Sequence, residues 1–180
     1  MVYPGKNHKT YDTPRHPWEA ERMAEEVKLI KGFGLRNKRE LWKAQSIIRK
    51  YRRVSRLLLA ATARGEGGGD AKAEDVIGHL QRYGMLKDND DLDSVLSIKL
   101  ENLLERRLQT QVYRQGLAKT LRQARQFITH GHIQISGRKV TVPGYYVKRG
   151  EEMTIDYYKG SPMVQENHPE RATRVPKVEG

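Results

Sequence analysis

Cysteine is absent from this 180-residue chain, which excludes a disulfide framework and any thiolate-held metal. Trp and Phe are scarce, with two of each. No apolar run approaches the ~20 residues that a membrane helix needs; the longest is LLLAATA at 57–63. The opening segment, MVYPGKNHKTYDTP, carries no apolar stretch of the kind a secretory signal requires. Acids are the last shortage: 22 Asp+Glu stand against 34 Lys+Arg, a formal charge of +12. Such an excess points to a polyanionic partner. The expectation is a cytoplasmic chain without a membrane partner.

The charge is distributed unevenly. Residues 1–65 hold 16 bases and 6 acids, 66–105 hold 4 and 10, and 106–160 hold 11 and 3. Two basic lobes therefore flank an acidic middle. The length suits one or two small domains. The division read here is an irregular basic arm (1–16), a helical lobe (17–105), a small α+β lobe (106–160) and a polar tail (161–180).

Helical periodicity appears at 18–34, where Pro17 precedes the run and Gly32 and Gly34 end it. A longer helix is predicted over 37–63, with Asn37 as N-cap. Its apolar residues Leu41, Ala44, Ile47, Ile48, Tyr51, Val54 and Leu58 recur every three or four positions and form one stripe. GEGGGD (65–70) reads as a flexible connector: no strand precedes it, no Lys-Ser/Thr follows, and acids flank its glycines. A further helix is predicted at 73–86, with Gly84 as its stop. The acidic DNDDLD (88–93) lacks the glycine and terminal glutamate of a calcium loop and suits a helix N-terminus. One continuous helix is then predicted over 94–116.

From Gly116 the pattern changes. Thr120 and Gln123 have capping-box spacing for a helix at 121–129. Its inner face carries Leu117, Leu121, Ala124 and Ile128, and its outer face Lys119, Arg122, Gln126 and Thr129, with Arg125 at the border. After Gly131 the period becomes two: Ile133 and Ile135 are expected to pair with Val140 and Val142 across a Ser136-Gly137 turn. Met153, Ile155 and Tyr157 alternate on a last strand. The fold class is α+β: a mostly helical N-terminal lobe, then two helices packed on a short twisted antiparallel sheet.

Nine bases and one acid occupy Arg36–Arg56. Crowded like charges repel on a helix, and a phosphate backbone relieves that repulsion. The RNA-facing candidates there are Arg36, Lys38, Arg39, Arg49, Lys50, Arg52, Arg53 and Arg56. The alternation after Gly131 forbids a second, DNA-reading helix. A rigid basic platform suits folded RNA, which is recognised by shape and backbone. His130 and His132 have no carboxylate or cysteine nearby to complete a metal site. No Ser/His/Asp or Cys/His arrangement can be assembled, so no catalytic residue, cofactor or metal is expected. Tyr145 and Tyr146 are open to base stacking or to packing the sheet.

RRLQTQVYRQGLAKTLRQARQFITHGHIQISGRKVTVPGYYVKRGEEMTIDYY (106–158) resembles the RNA-binding domain named after small-subunit ribosomal protein four. TPRHPWEAER (13–22), GLRNKRELW (34–42), QSIIRKYR (45–52) and LERRLQTQVYRQGLAK (104–119) resemble the archaeal and eukaryotic branch of that ribosomal family. YYKGSP and ENHPERA look archaeal. The resemblance implies a structural protein on the 5′ domain of small-subunit ribosomal RNA, binding early in assembly. It also implies a place beside ribosomal protein five at the messenger entry channel and an influence on decoding accuracy. The RNA contacts it implies are Arg107, Arg114, Lys119, Arg122, Arg125 and His130, with Arg138 and Lys139 from the loop; Arg106 is a further RNA-binding candidate. Two departures stand out: this chain lacks the cysteine zinc site of some bacterial relatives, and Leu121 replaces a residue that is often polar. Replacing Arg122 and Arg125 together is expected to weaken RNA binding without unfolding. The polar tail is expected to order only against RNA or a neighbour.

Overall fold

The structure, a computed structural model, describes residues 9–64, 69–165 and 167–171. Its α+β architecture matches the expectation: a run of helices is followed by two helices against a three-stranded antiparallel sheet.

Helix α1 (Ala20–Gly32) is held to the arm by Arg22, whose guanidinium donates to the His16 and Pro17 carbonyls at 2.7 and 3.0 Å. From residue 9 onward the arm lies along the next helix, with Tyr11 packed on Trp42 and the Asp12 amide donating to Ser46 Oγ. Residues 1–8 lie outside the described residues. Helix α2 (Lys38–Ala63) starts at the expected cap, the Asn37 side chain accepting from the Glu40 amide. Its buried positions are Leu41, Ala44, Ile48, Ser55 and Leu58. Helix α3 (Gly69–Arg82) begins four residues earlier than predicted, taking in the end of GEGGGD; residues 65–68 lie outside the described residues.

The expected single helix over 94–116 is three short ones: α4 (Leu92–Ser97), α5 (Leu100–Glu105) and α6 (Leu108–Arg114). Long-range contacts make both breaks. Ile98 is extended (φ −56°, ψ 122°), and its carbonyl accepts from the Arg52 guanidinium at 2.6 Å. Arg107 is also extended and forms an antiparallel bridge with Tyr146. The Leu108 amide donates to the Tyr145 carbonyl at 2.7 Å and the Val147 amide to the Arg106 carbonyl at 2.8 Å. Carbonyls released from helical bonding are taken up by side chains, Thr110 Oγ1 on Leu104 and Gln111 Nε2 on Glu105. Bonding of this range leaves no trace in a local period.

The capping residue Thr120 accepts from the Gln123 amide at 3.1 Å and starts α7 (Leu121–Thr129). Gln123 returns its own bond to the Lys119 amide. Strands β1 (Ile133–Ile135), β2 (Arg138–Lys139) and β3 (Ile155–Tyr157) form a sheet of order β2-β1-β3. Ser136 and Gly137 both have positive φ, as a two-residue hairpin turn demands. Val140 does pair, its amide donating to the Ile133 carbonyl, but Val142 is 58% exposed. Met153 sits in a 3-10 turn (Glu152–Thr154) before β3 and is 87% exposed, so it does not join the strand's alternation.

Three clusters make the core. One fills the C-terminal lobe around Leu108, Val112, Ile128, Ile133 and Val147. A second joins α2 and α5 through Leu41, Ala44, Ile48 and Leu104, and a third joins α3 and α4 through Leu80 and Val95. The tail's first residues pack on the C-terminal lobe: Met163 is buried, and the Ser161 hydroxyl lies 2.9 Å from His132 Nδ1.

Candidate nucleic-acid interface

The basic face of α2 follows from its buried stripe. Arg49, Lys50, Arg53 and Arg56 lie off the stripe and are exposed. Arg52 is four residues after Ile48 and three before Ser55, which puts it on the stripe; its side chain turns inward to the Ile98 carbonyl. The structure therefore removes Arg52 from the free set. Lys38 is half committed, its ammonium 3.1 Å from the buried Glu26 carboxylate. Glu26 also accepts from Arg22 and from the Trp42 indole. Burial pushes its carboxyl up, but these donors outweigh that and hold it below the ordinary range. Arg36 and Arg39 are exposed, with no partner among the described residues.

In the C-terminal lobe the candidates separate. Arg122, Arg138, Lys139, Lys119 and His130 are exposed. Arg138 and Lys139 project from β2 at the sheet edge. The Lys139 chain crosses Gly131 and reaches the Tyr158 ring at 5.8 Å. Lys119 Nζ donates to the Pro169 carbonyl, and the His130 ring stacks on His132. Burial first, then the charges of His130, Lys139 and His168, lower the pKa of His132, so that imidazole is neutral at pH 7.

Besides Arg52, four more arginines expected at RNA are engaged internally. Arg107 is 5% exposed and donates to Glu40 at 2.8 Å; Arg125 binds the other oxygen of the same carboxylate. Arg106 is bound to Glu152 and to the Val147 carbonyl, and Arg114 to Glu105 at 2.7 Å. Arg106 and Arg107 are enclosed because they lie between the end of α5 and the start of α6, where the sheet-like pairing with 145–147 covers both. Arg114 keeps about half of its side-chain surface. Tyr145 donates to Glu151, and burial with that bond pushes its hydroxyl up to about 12. Tyr146 packs among the Leu41 and Leu104 cluster. Packing therefore engages both tyrosines.

Glu40 is the residue that sequence reasoning passes over. It comes from the first turn of α2 and receives guanidinium groups from α6's N-cap and from α7. Burial alone raises its carboxyl, but the Arg125 hydrogen bond and the Arg107 and Arg125 charges bring it below the ordinary range. Beside it, Gln109 Nε2 donates to the Gly34 and Leu121 carbonyls at 2.8 and 2.9 Å. The signal lay in the count: Glu40 is the one acid among nine bases.

Gly34 completes this joint. Its φ is +60°, and an added Cβ would stand 2.6 Å from Leu121 Cβ. Leu121 thus packs between the lobes, which accounts for an apolar residue at that position. Gly34→Ala is expected to cost about 2–4 kcal/mol, from left-handed backbone strain and overpacking together. A urea midpoint equal to that of the unsubstituted chain contradicts this.

The joint floors a cleft of about 630 Å³ between the end of α1, the start of α2 and the start of α7. Lys31, Arg36, Arg122 and Arg125 line it. Lys31 was not among the sequence candidates, because it lies in a helix of mixed charge. The acidic middle behaves differently: Asp88 pairs with Arg149 at 2.8 Å and Asp90 accepts from the Lys87 amide.

Comparison with known proteins gives a consistent result. A model of the S4 domain matches residues 106–153. The chain is 55% identical over 177 residues to small ribosomal subunit protein uS4 of Methanococcoides burtonii, covering 97% of this chain and 96% of that one. It is 54% identical over 182 residues to the protein of that name from Methanoregula boonei, covering 100% and 98%. The corresponding Halobacterium salinarum protein is 48% identical over 172 residues, covering 96% and 98%.

Proposed function

Since the chain belongs to the small ribosomal subunit protein uS4 family, we propose that it is a structural constituent of the small subunit that clamps folded ribosomal RNA between its two basic lobes. Its close relatives are ribosomal proteins rather than enzymes. The observation that carries this reading is the segregation of arginines. Arg107 and Arg125 lock the lobes together and Arg106 is held within the C-terminal lobe, leaving Arg36, Arg39, Arg49, Arg53, Arg56, Arg122 and Arg138 exposed. Exposed guanidinium groups on a fixed frame match paired phosphate oxygens without reorganising.

The RNA is assigned to the 5′ domain of the small-subunit ribosomal RNA, bound early enough to nucleate assembly. Ribosomal protein five is the assigned protein neighbour, with messenger RNA passing at the entry channel and an effect on decoding accuracy. The protein would act in the cytoplasm, within the subunit. Chemical footprinting of the 5′ domain with and without the protein tests the assignment; an unchanged reactivity pattern contradicts it.

The structure also divides the paired substitution considered above. Arg122→Ala is expected to weaken RNA binding while leaving the unfolding free energy from urea denaturation within about 0.5 kcal/mol, as for an exposed residue. Arg125→Ala is expected to lower that free energy, because it strips Glu40 of a partner. Filter binding and urea denaturation on the two single variants separate these effects. Equal loss of stability in both would make Arg122 structural as well.

A further inference from the structure

A pocket of about 220 Å³ opens between α2, α3 and the segment carrying Tyr146. Four of its lining residues are aromatic, Tyr51, His79, Tyr83 and Tyr146; Ile47, Met85 and Leu103 complete the apolar wall, and Lys50 stands beside them. The His79 ring lies 5.9 Å from Tyr51 and 5.0 Å from Tyr83, centroid to centroid. The phenol hydroxyls of Tyr51, Tyr83 and Tyr146 make no hydrogen bond to any described residue. Burial, then the neighbouring Tyr83 and Tyr146, push the Tyr51 hydroxyl up, and burial does the same for Tyr146. They stay protonated at neutral pH. Burial and the Arg82 charge lower the pKa of His79, which stays uncharged. The interior is therefore neutral, part aromatic and part aliphatic, while Lys50 stands beside it and Arg49 and Arg53 are exposed on the same helix.

An aliphatic side chain from another protein could fill this volume but would strand the three hydroxyls, which costs free energy. A nucleobase meets each requirement: a π-face for the rings, a donor–acceptor edge for the hydroxyls and an attached phosphate for the cations. We propose that this pocket receives one unstacked nucleobase of the bound RNA, its face against Tyr83 and His79 and its phosphate toward Lys50. The inference rests on the RNA-binding reading above and names a contact within it.

The test uses the full chain and a transcript of the small-subunit ribosomal RNA 5′ domain. Ultraviolet crosslinking with mass spectrometry should find nucleotide adducts on Tyr51, His79, Tyr83 or Tyr146. Tyr83→Ala should weaken binding about 5- to 100-fold, the range for losing one stacked base, and Tyr83→Phe should keep most of the affinity. Salt-sensitive binding by the unsubstituted chain, with no adduct in the pocket and full affinity for Tyr83→Ala, overturns the inference and leaves the RNA reading intact. That result would return the pocket to a protein side chain. No binding by the unsubstituted chain overturns both. If Tyr83→Ala does not fold, the adduct map of the unsubstituted chain decides alone: adducts in the pocket uphold the proposal and their absence overturns it.

Discussion

Glu40→Ala is expected to destabilise the chain by about 3 kcal/mol, the effect of stranding a buried ionic partner. Arg107 is 5% exposed and cannot rehydrate without separating the lobes, and Arg125 loses its carboxylate in the same step. Glu40→Gln keeps the shape and a neutral acceptor but removes the charge, so its loss should be smaller. The two are compared by urea denaturation, and a Glu40→Ala midpoint matching the unsubstituted chain rules out the ionic joint. The pH dependence has a definite sign. The folded Glu40 carboxyl lies below its ordinary 4.5, so its stabilisation is present above that value and is lost as pH falls through the lower folded one. The stability gap between the unsubstituted chain and Glu40→Gln should therefore narrow as pH drops below 4.5. Glu26 titrates in the same direction in both chains and cancels from that comparison.

Affinity for the 5′-domain RNA is expected to fall about 10³-fold or more between roughly 50 and 200 mM salt, the response to neutralising about six or more phosphates. The exposed cations on α2, in the cleft and at the β2 edge are enough to neutralise that many. Arg53→Ala with Arg56→Ala should lower the slope of log affinity against log salt by about 1 to 2, near one for each phosphate no longer neutralised. Arg107→Ala should act through stability instead, since a buried guanidinium releases no counterion. A flat salt response in the unsubstituted chain is incompatible with a phosphate clamp.

The residues that sequence reasoning located well share one trait: their partners are near in the chain. Asn37 caps α2 through the Glu40 amide, Thr120 caps α7 through Gln123, and Ser136-Gly137 turns the hairpin. Periods of 3.6 and 2 likewise placed α2, α7 and β1. The single helix expected over 94–116 failed for the opposite reason. Its breaks at Ile98 and Arg107 are imposed by Arg52 and by 145–147, each about 40 residues or more away in sequence. The same limit affected the arginines. A guanidinium suits a phosphate and a carboxylate alike, so composition could not separate Arg107 from Arg122.

By itself the sequence determined the fold class, the two basic stretches of the chain and the family, because composition, local period and motif spacing are properties of the chain alone. Only the tertiary structure decided which cations are free. Burying a guanidinium requires a carboxylate from elsewhere in the fold, and the single acid of the basic helix, Glu40, meets Arg107 and Arg125 across 67 and 85 residues. That meeting turns two lobes into one frame and leaves the remaining cations facing outward.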